Sequence, residues 1–229
     1  MGIVVIGSTF VDIKGYPMGQ YIPDGRNAGS IEQVHGGVAR NVVENIANIE
    51  LRPSFVSLVD DNGAGLDVIA KLDRHKVDTT YVKQTKDGMG VWLALFDHTG
   101  NLAGSISKRP DLQPIYDILL EHGDEIISKA DSVALELDLE KDVVKEVFRL
   151  AQKYGKQVFA VISNMSIAHE RIDFFQNLDC FVCNQQESGM LFIKDLENLT
   201  PEKKASPAPV VSTTSTLSAG HIPASPSSE

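Results

Sequence analysis

The chain has 229 residues, 42% hydrophobic and 23% charged, enough to bury a sizeable core in one large domain. Thirty-one acidic against 21 basic side chains give a formal charge of -10, which repels phosphate backbones and anionic lipid and argues against nucleic acid or a membrane surface as partner. No stretch approaches the ~20 apolar residues of a membrane span, and neither a basic-flanked leader nor a lipidation signal opens the chain, so the expectation is a cytoplasmic protein.

Ile3-Val4-Val5-Ile6-Gly7 is a β-branched run ended by glycine, which suits a strand buried on both faces within a mostly parallel sheet. Asp12 lies beyond it, at the strand end where open α/β sheets place their ligands. An ionised carboxylate there can accept two hydrogen bonds from a vicinal diol, although an aspartate after a strand also serves as a turn residue or helix cap. Lys14 to His35 is rich in glycine and polar residues with strand-like ends.

Gly36-Gly37-Val38-Ala39-Arg40-Asn41 carries the most information. Paired glycines before a helix let a ligand approach bare backbone, and the helix N-terminus offers free N–H groups. Asn41, one turn in, can both donate and accept, which fits a hydroxyl-rich ligand. A plain Gly-Gly turn with a cap-like asparagine is the alternative. The helix is expected from Val38 to Ile49, with Val38, Val42, Ile46 and Ile49 inward and Pro53 beyond its end.

Next come a strand from Ser54 to Val59 and a helix from Ala64 to His75 with Leu66, Ile69 and Leu72 inward. Met89 to Asp97, the turn His98-Thr99-Gly100-Asn101 and Leu102 to Ser107 read as a β-hairpin. Residues 14–35 and 89–107 therefore interrupt the alternation, and two readings are open: a small β lid over a site, or two ordinary surface excursions. Helices at Pro114 to Lys129 and Leu139 to Tyr154 then alternate with strands at Ser132 to Leu137, Gln157 to Ile162 and Leu178 to Cys183. Strand and helix in alternation predict an α/β sandwich.

From Ser206 to Glu229, Ser, Thr and Pro supply 14 of 24 residues. Too little apolar surface remains there to offset ordering entropy, so a disordered tail is expected over 205–229 and a folded domain over 1–204. Cys180 and Cys183 have C-x-x-C spacing, but on a strand residues three apart face opposite ways, so both are expected to be buried structural thiols. The six histidines show no metal-binding spacing, and G-x-G-x-x-G after the first strand, G-x-x-x-x-G-K-[ST] and G-x-S-x-G are all missing.

Asp12 with its flanks, Gly36 to Asn45, Val59-Asp60-Asp61-Asn62-Gly63, Val77-Asp78-Thr79-Thr80 and Asn184-Gln185-Gln186-Glu187 occur in the order found in the PfkB carbohydrate kinases. Over about residues 1–200 the chain resembles this ribokinase-like family, and G-G-V-A-R-N-x-x-E-N with Val-Asp-Ile-Lys-Gly looks most like its pseudouridine kinase branch. The resemblance implies a three-layer ribokinase-like α/β sandwich with a small β lid, and phosphoryl transfer from ATP, with Mg²⁺, to a hydroxymethyl group of a sugar or nucleoside such as pseudouridine. It implies substrate-binding roles for Asp12, Gly36, Gly37, Asn41 and Asp138, with Glu136 near the same position, and a homodimer formed through the lid. Asn184 and Glu187 match the N-x-x-E motif that organises Mg²⁺ and phosphate, where a carboxylate acts through the metal's waters without direct ligation. The family's D-T-x-G-A-G-D segment, with its anion hole and general-base aspartate, does not occur in these 229 residues. The fold is therefore expected to be C-terminally incomplete and the chain catalytically inactive; a non-catalytic sugar- or nucleoside-binding or interaction protein is the alternative.

Overall fold

A computed structural model of the chain describes residues 2–162 and 172–183, together with single positions 167, 170 and 189. The expected Ser/Pro-rich tail, Asn184 and Glu187 lie outside the described residues. Six parallel strands form the main sheet: β1 (Ile3–Ile6), β4 (Ser54–Asp60), β5 (Asp78–Thr85), β8 (Ser132–Glu136), β9 (Gln157–Val161) and β10 (Cys180–Val182), in the order β10-β9-β8-β1-β4-β5. Helices α1 (Val38–Asn48) and α2 (Gly63–Arg74) cover one face. Helices α3 (Gln113–Lys129) and α4 (Lys141–Tyr154) cover the other.

The period of two in β1 makes these layers. Val4 and Ile6 enter one core with Ile115, Leu119, Val143 and Val147, while Val5 enters the other with Ala39, Val43, Val68 and Leu72. The central strands are buried on both faces because helices cover both, which is why β1 reads as an unbroken apolar run.

A second sheet stands apart from the first, built from β2 (Phe10–Pro17), β3 (Gly29–Gly36), β6 (Gly90–Phe96) and β7 (Leu102–Lys108) in the order β3-β2-β6-β7. It joins the two segments that interrupt the α/β alternation: β3 pairs antiparallel to β2, and the hairpin joins through a parallel β2–β6 pairing. That last pairing spans more than seventy residues of chain and no local signal announces it. Two separate surface excursions would share no ladder, so that reading falls.

Several expectations need correction. Asp12 is neither a turn residue nor a cap; it sits inside β2. The inward stripe of α1 is Ala39, Val43 and Ala47, with Val42 and Ile46 at its flank and Ile49 exposed. Small alanines let the helix axis approach the sheet, an advantage that hydrophobicity alone does not weigh. In α2 Leu66 points outward at 56% exposure, and Gly65, Val68 and Leu72 face in; a Cβ at Gly65 would stand 1.9 Å from the Asp60 carbonyl oxygen, so that face must carry no side chain there. Cys180 is half-buried where burial was expected, because it opens the edge strand β10. Strand β5 was missed: its sequence, Asp78-Thr79-Thr80-Tyr81-Val82-Lys83-Gln84-Thr85, is mostly polar because it lies at the other edge, where only part of each face is covered.

Candidate functional site

The strand order fixes where a ligand belongs. From β1 the chain crosses to β4 and β5 on one side, then returns to β8, β9 and β10 on the other. Such a reversal makes the region beyond the carboxyl ends of β1 and β8 the favoured place for a ligand crevice in open α/β sheets. At that point Ser8, just past β1, donates its backbone N–H to Glu136 Oε2 at 2.8 Å, and its hydroxyl lies 2.9–3.0 Å from both carboxylate oxygens. Glu136 is thus fully buried and fastens the two strand ends together. Asp138, two residues on, is also buried, and its carbonyl accepts from Arg109 Nη2 at 2.8 Å. Since Arg109 directly follows β7, this bond clips the exit of the second sheet to the main one.

Asp12, Gly36 and Gly37 are brought together by the β2–β3 pairing and the turn into α1. Gly36 is paired with Phe10, and a Cβ built on it would stand 2.1 Å from Asp12 Oδ1. The Asp12 carboxylate therefore rests on the bare backbone of Gly36. Gly37 is the N-cap of α1, with φ +98°, and a Cβ there would stand 2.8 Å from the Ser8 carbonyl oxygen. Both the dihedral and the close approach require glycine.

Arg40 follows as the centre of a network. It is buried, with 5% exposure; its guanidinium donates to the Glu44 carboxylate, to Asn41 Oδ1 and, at 3.1 Å, to the His35 carbonyl. Glu44 in turn lies 3.0 Å from Lys71 Nζ. An arginine has donors only, so the Asn41 oxygen must face it and the Asn41 amide N–H₂ is left for a ligand's acceptor. Asn41 is exposed and makes no cap. Sequence reasoning singled out Asn41 and passed over Arg40, although a buried arginine one residue ahead of an exposed asparagine decides which way that amide points.

The electrostatics follow from burial. Asp12, 21% exposed, has Lys14 Nζ 3.9 Å from its carboxylate. Burial pushes its carboxyl above the usual aspartate range, while Lys14 and Arg40 pull it back. Burial, with the nearby Arg40 guanidinium, holds His35 below the usual imidazole range, against the pull of Asp67. Burial pushes Glu44 up as well, but Lys71, Arg40 and His75 outweigh it and leave the carboxyl below the usual range.

Two other motifs turn out to be structural. Asn62 caps α2, accepting from Ala64 and Gly65 N–H at 2.9 and 3.3 Å, and Asp60 Oδ1 accepts from Met89 N–H at 2.8 Å, tying the entrance of β6 to the end of β4. Asp78 accepts from Thr80 and Ser54 at the start of β5. A cavity of about 300 Å³ lined by Val4, Ser54, Asp78, Tyr81, Glu125 and Lys129 lies at the opposite, amino end of the strands, away from Asp12. The residues that the resemblance assigns to Mg²⁺ and phosphate are outside the described residues, and among those described no group of three His, Cys, Asp or Glu side chains is placed to hold a metal ion. No helix among them is long and apolar enough to cross a membrane.

A parallel sheet between two helix layers, with a second small sheet standing beside it, is an α/β sandwich of the ribokinase-like type. A sequence model of the pfkB family carbohydrate kinases matches residues 2–216; the chain belongs to this family. It is 33% identical over 201 residues to a guanosine-inosine kinase of Exiguobacterium acetylicum, covering 87% of this chain and 66% of that protein. A pseudouridine kinase of Escherichia coli (strain K12) is 24% identical over 147 residues, covering 62% of this chain and 46% of that one. Among solved structures, a carbohydrate kinase from Agrobacterium tumefaciens superposes with a TM-score of 0.70 at 18% identity, over 83% of this chain and 62% of that one. Arabidopsis thaliana ribokinase, complexed with ribose and ATP, does so with 0.67 at 19%, over 82% and 62%. These likenesses show the ribokinase-like fold. The chain spans about two thirds, or less, of the length of each of these relatives.

Proposed function

We propose that the crevice beyond β1 and β8 binds the ribose of a nucleoside, as the substrate-side part of an ATP- and Mg²⁺-dependent nucleoside kinase acting in the cytoplasm. The observation that carries this reading is the Asp12 carboxylate seated on Gly36 beside Arg40 and Asn41. An acceptor pair on Asp12 and a donor pair on Asn41 suit vicinal hydroxyls, each of which both donates and accepts. Gly36 makes room for the Asp12 carboxylate and Gly37 for the Ser8 carbonyl, so both glycines shape the site through the groups they let approach. Buried Asp138 shapes the crevice wall, and Asn184 with Glu187 organises phosphate and Mg²⁺. The second sheet closes over the sugar as a lid.

The higher identity to the guanosine-inosine kinase than to the pseudouridine kinase supports a purine nucleoside over pseudouridine.

Calorimetric titration of the full chain with guanosine, inosine, pseudouridine and ribose tests the site. Loss of a charged hydrogen-bonding group costs roughly 1.5–3 kcal/mol, so Asp12→Ala should weaken nucleoside binding about ten- to hundred-fold. Equal affinity in wild type and Asp12→Ala would remove Asp12 from the site.

A further inference from the structure

The chain contains a single tryptophan, Trp92, and neither the sugar site nor the core has used it. It lies on β6 in direct register with Asp12 of β2, which in turn is paired with Val34 of β3. Directly paired residues of neighbouring strands share a face about 5 Å apart, so Val34, Asp12 and Trp92 form one row across the second sheet. The next rows of that face hold Lys14 beside Ala94, then Tyr16 stacked on Phe96 at 5.0 Å between ring centroids. Trp92 is half-buried, so part of its indole remains available for contact. The opposite face carries Val11 and Ile13, which pack toward the α1–α2 core.

We propose that Trp92 is the base platform of the site: the flat surface on which an aromatic nucleobase stacks once Asp12 holds the ribose. The inference rests on the nucleoside reading above and deepens it, because it makes the residue that separates nucleosides from free sugars a lid residue one strand from the sugar's carboxylate. A nucleobase is joined directly to the ribose, so its ring must lie within a strand spacing or two of the group that grips the hydroxyls. On the Asp12 row the neighbours are Val34, which is small and exposed, and Trp92. Only the indole offers an extended π face, and base–aromatic stacking tolerates either purine because every base has one.

The test uses the full chain and its single tryptophan, excited selectively over the tyrosines. Guanosine and inosine should quench or shift the tryptophan emission with the same midpoint that calorimetry gives for binding, and ribose should leave it nearly unchanged. Trp92→Leu should weaken guanosine and inosine roughly ten-fold or more and leave ribose affinity unaltered, while Trp92→Phe should recover part of the loss. Should Trp92→Leu disturb folding, seen as a lowered denaturation midpoint, the wild-type emission and the Phe variant still decide. Nucleoside binding without an emission change, and with equal affinity in the Phe and Leu variants, would overturn the platform and leave the ribose site standing. Ribose binding that matches nucleoside binding in wild type would overturn the platform and the nucleoside reading together.

Discussion

Replacing Gly36 by alanine should separate binding from stability at one atom. The added Cβ would stand 2.1 Å from Asp12 Oδ1 and 2.5 Å from its Cγ, far inside van der Waals contact, yet the obstructing group is the end of a movable side chain. The carboxylate can swing away at a cost of about 0.5–1.5 kcal/mol for an unfavourable rotamer. Removing a glycine from the unfolded chain returns about 0.4–1 kcal/mol, and Gly36 is not among the positive-φ glycines, so its backbone raises no objection. Stability should therefore change by less than about 1 kcal/mol by difference of these two amounts. Binding should not be spared, because a displaced Asp12 would lose the charged hydrogen bonds to the sugar proposed above, roughly 1.5–3 kcal/mol, or about ten- to hundred-fold in Kd. Gly37→Ala should do the reverse. Its φ of +98° and the rigid Ser8 carbonyl 2.8 Å from the new Cβ should cost about 1–3 kcal/mol of stability. The assays are urea denaturation and calorimetric titration with guanosine on the same preparations. If Gly36→Ala binds guanosine as wild type does, or if Gly36→Ala weakens binding further in an Asp12→Ala background, the steric chain from Gly36 through Asp12 to the sugar is wrong.

Three further outcomes are expected. The 229 residues alone should show no sugar-dependent ATP turnover, since general-base assistance is typically worth ~10²–10⁴ in rate and an anion hole ~10²–10³, and neither group occurs after Asn184-Gln185-Gln186-Glu187; turnover that Asn184→Ala abolishes would reveal a substitute base. Glu44→Ala should cost about 3 kcal/mol by leaving the buried Arg40 without its carboxylate. Because Glu44 titrates below its ordinary value when folded, its stabilisation is present above that ordinary value and lost as pH falls through the lowered one; acid melts that fall in parallel for wild type and Glu44→Ala would contradict the pairing. Finally, we expect self-association through the Val11 and Ile13 face of the second sheet, at the end beyond its packing against α1 and α2, where Ile31 at 78%, Ile106 at 71%, Leu93 and Leu95 are exposed and Ile31, Leu95 and Leu93, Ile106 fall in adjacent rows. Sedimentation should show concentration-dependent association in wild type that Ile106→Lys weakens; a strictly monomeric wild type would refute it.

Much of the fold was legible because its signals are local. The β-branched run at Ile3–Ile6 marks a strand buried on both faces, the Asp97–Asn101 turn marks a hairpin, and paired glycines mark the start of α1. The family motifs likewise pointed to Asp12, Gly36, Gly37 and Asn41 before any coordinate did. What the sequence could not decide was every matter that depends on distant segments meeting. The polar edge strand β5 is held by its ladder to β4 rather than by its own pattern. The facing side of α1 is set by how closely Ala39 and Ala47 let it approach the sheet, and that rotation buries Arg40 and turns Asn41 outward. The parallel pairing of β2 with β6 sets Trp92 beside Asp12 across some eighty residues of chain, and a one-residue slip would have sent it to the other face. Composition and spacing chose the elements, and the family resemblance singled out Asp12, Gly36, Gly37 and Asn41; only the packed structure decided their register, and with it that Trp92 lies beside Asp12.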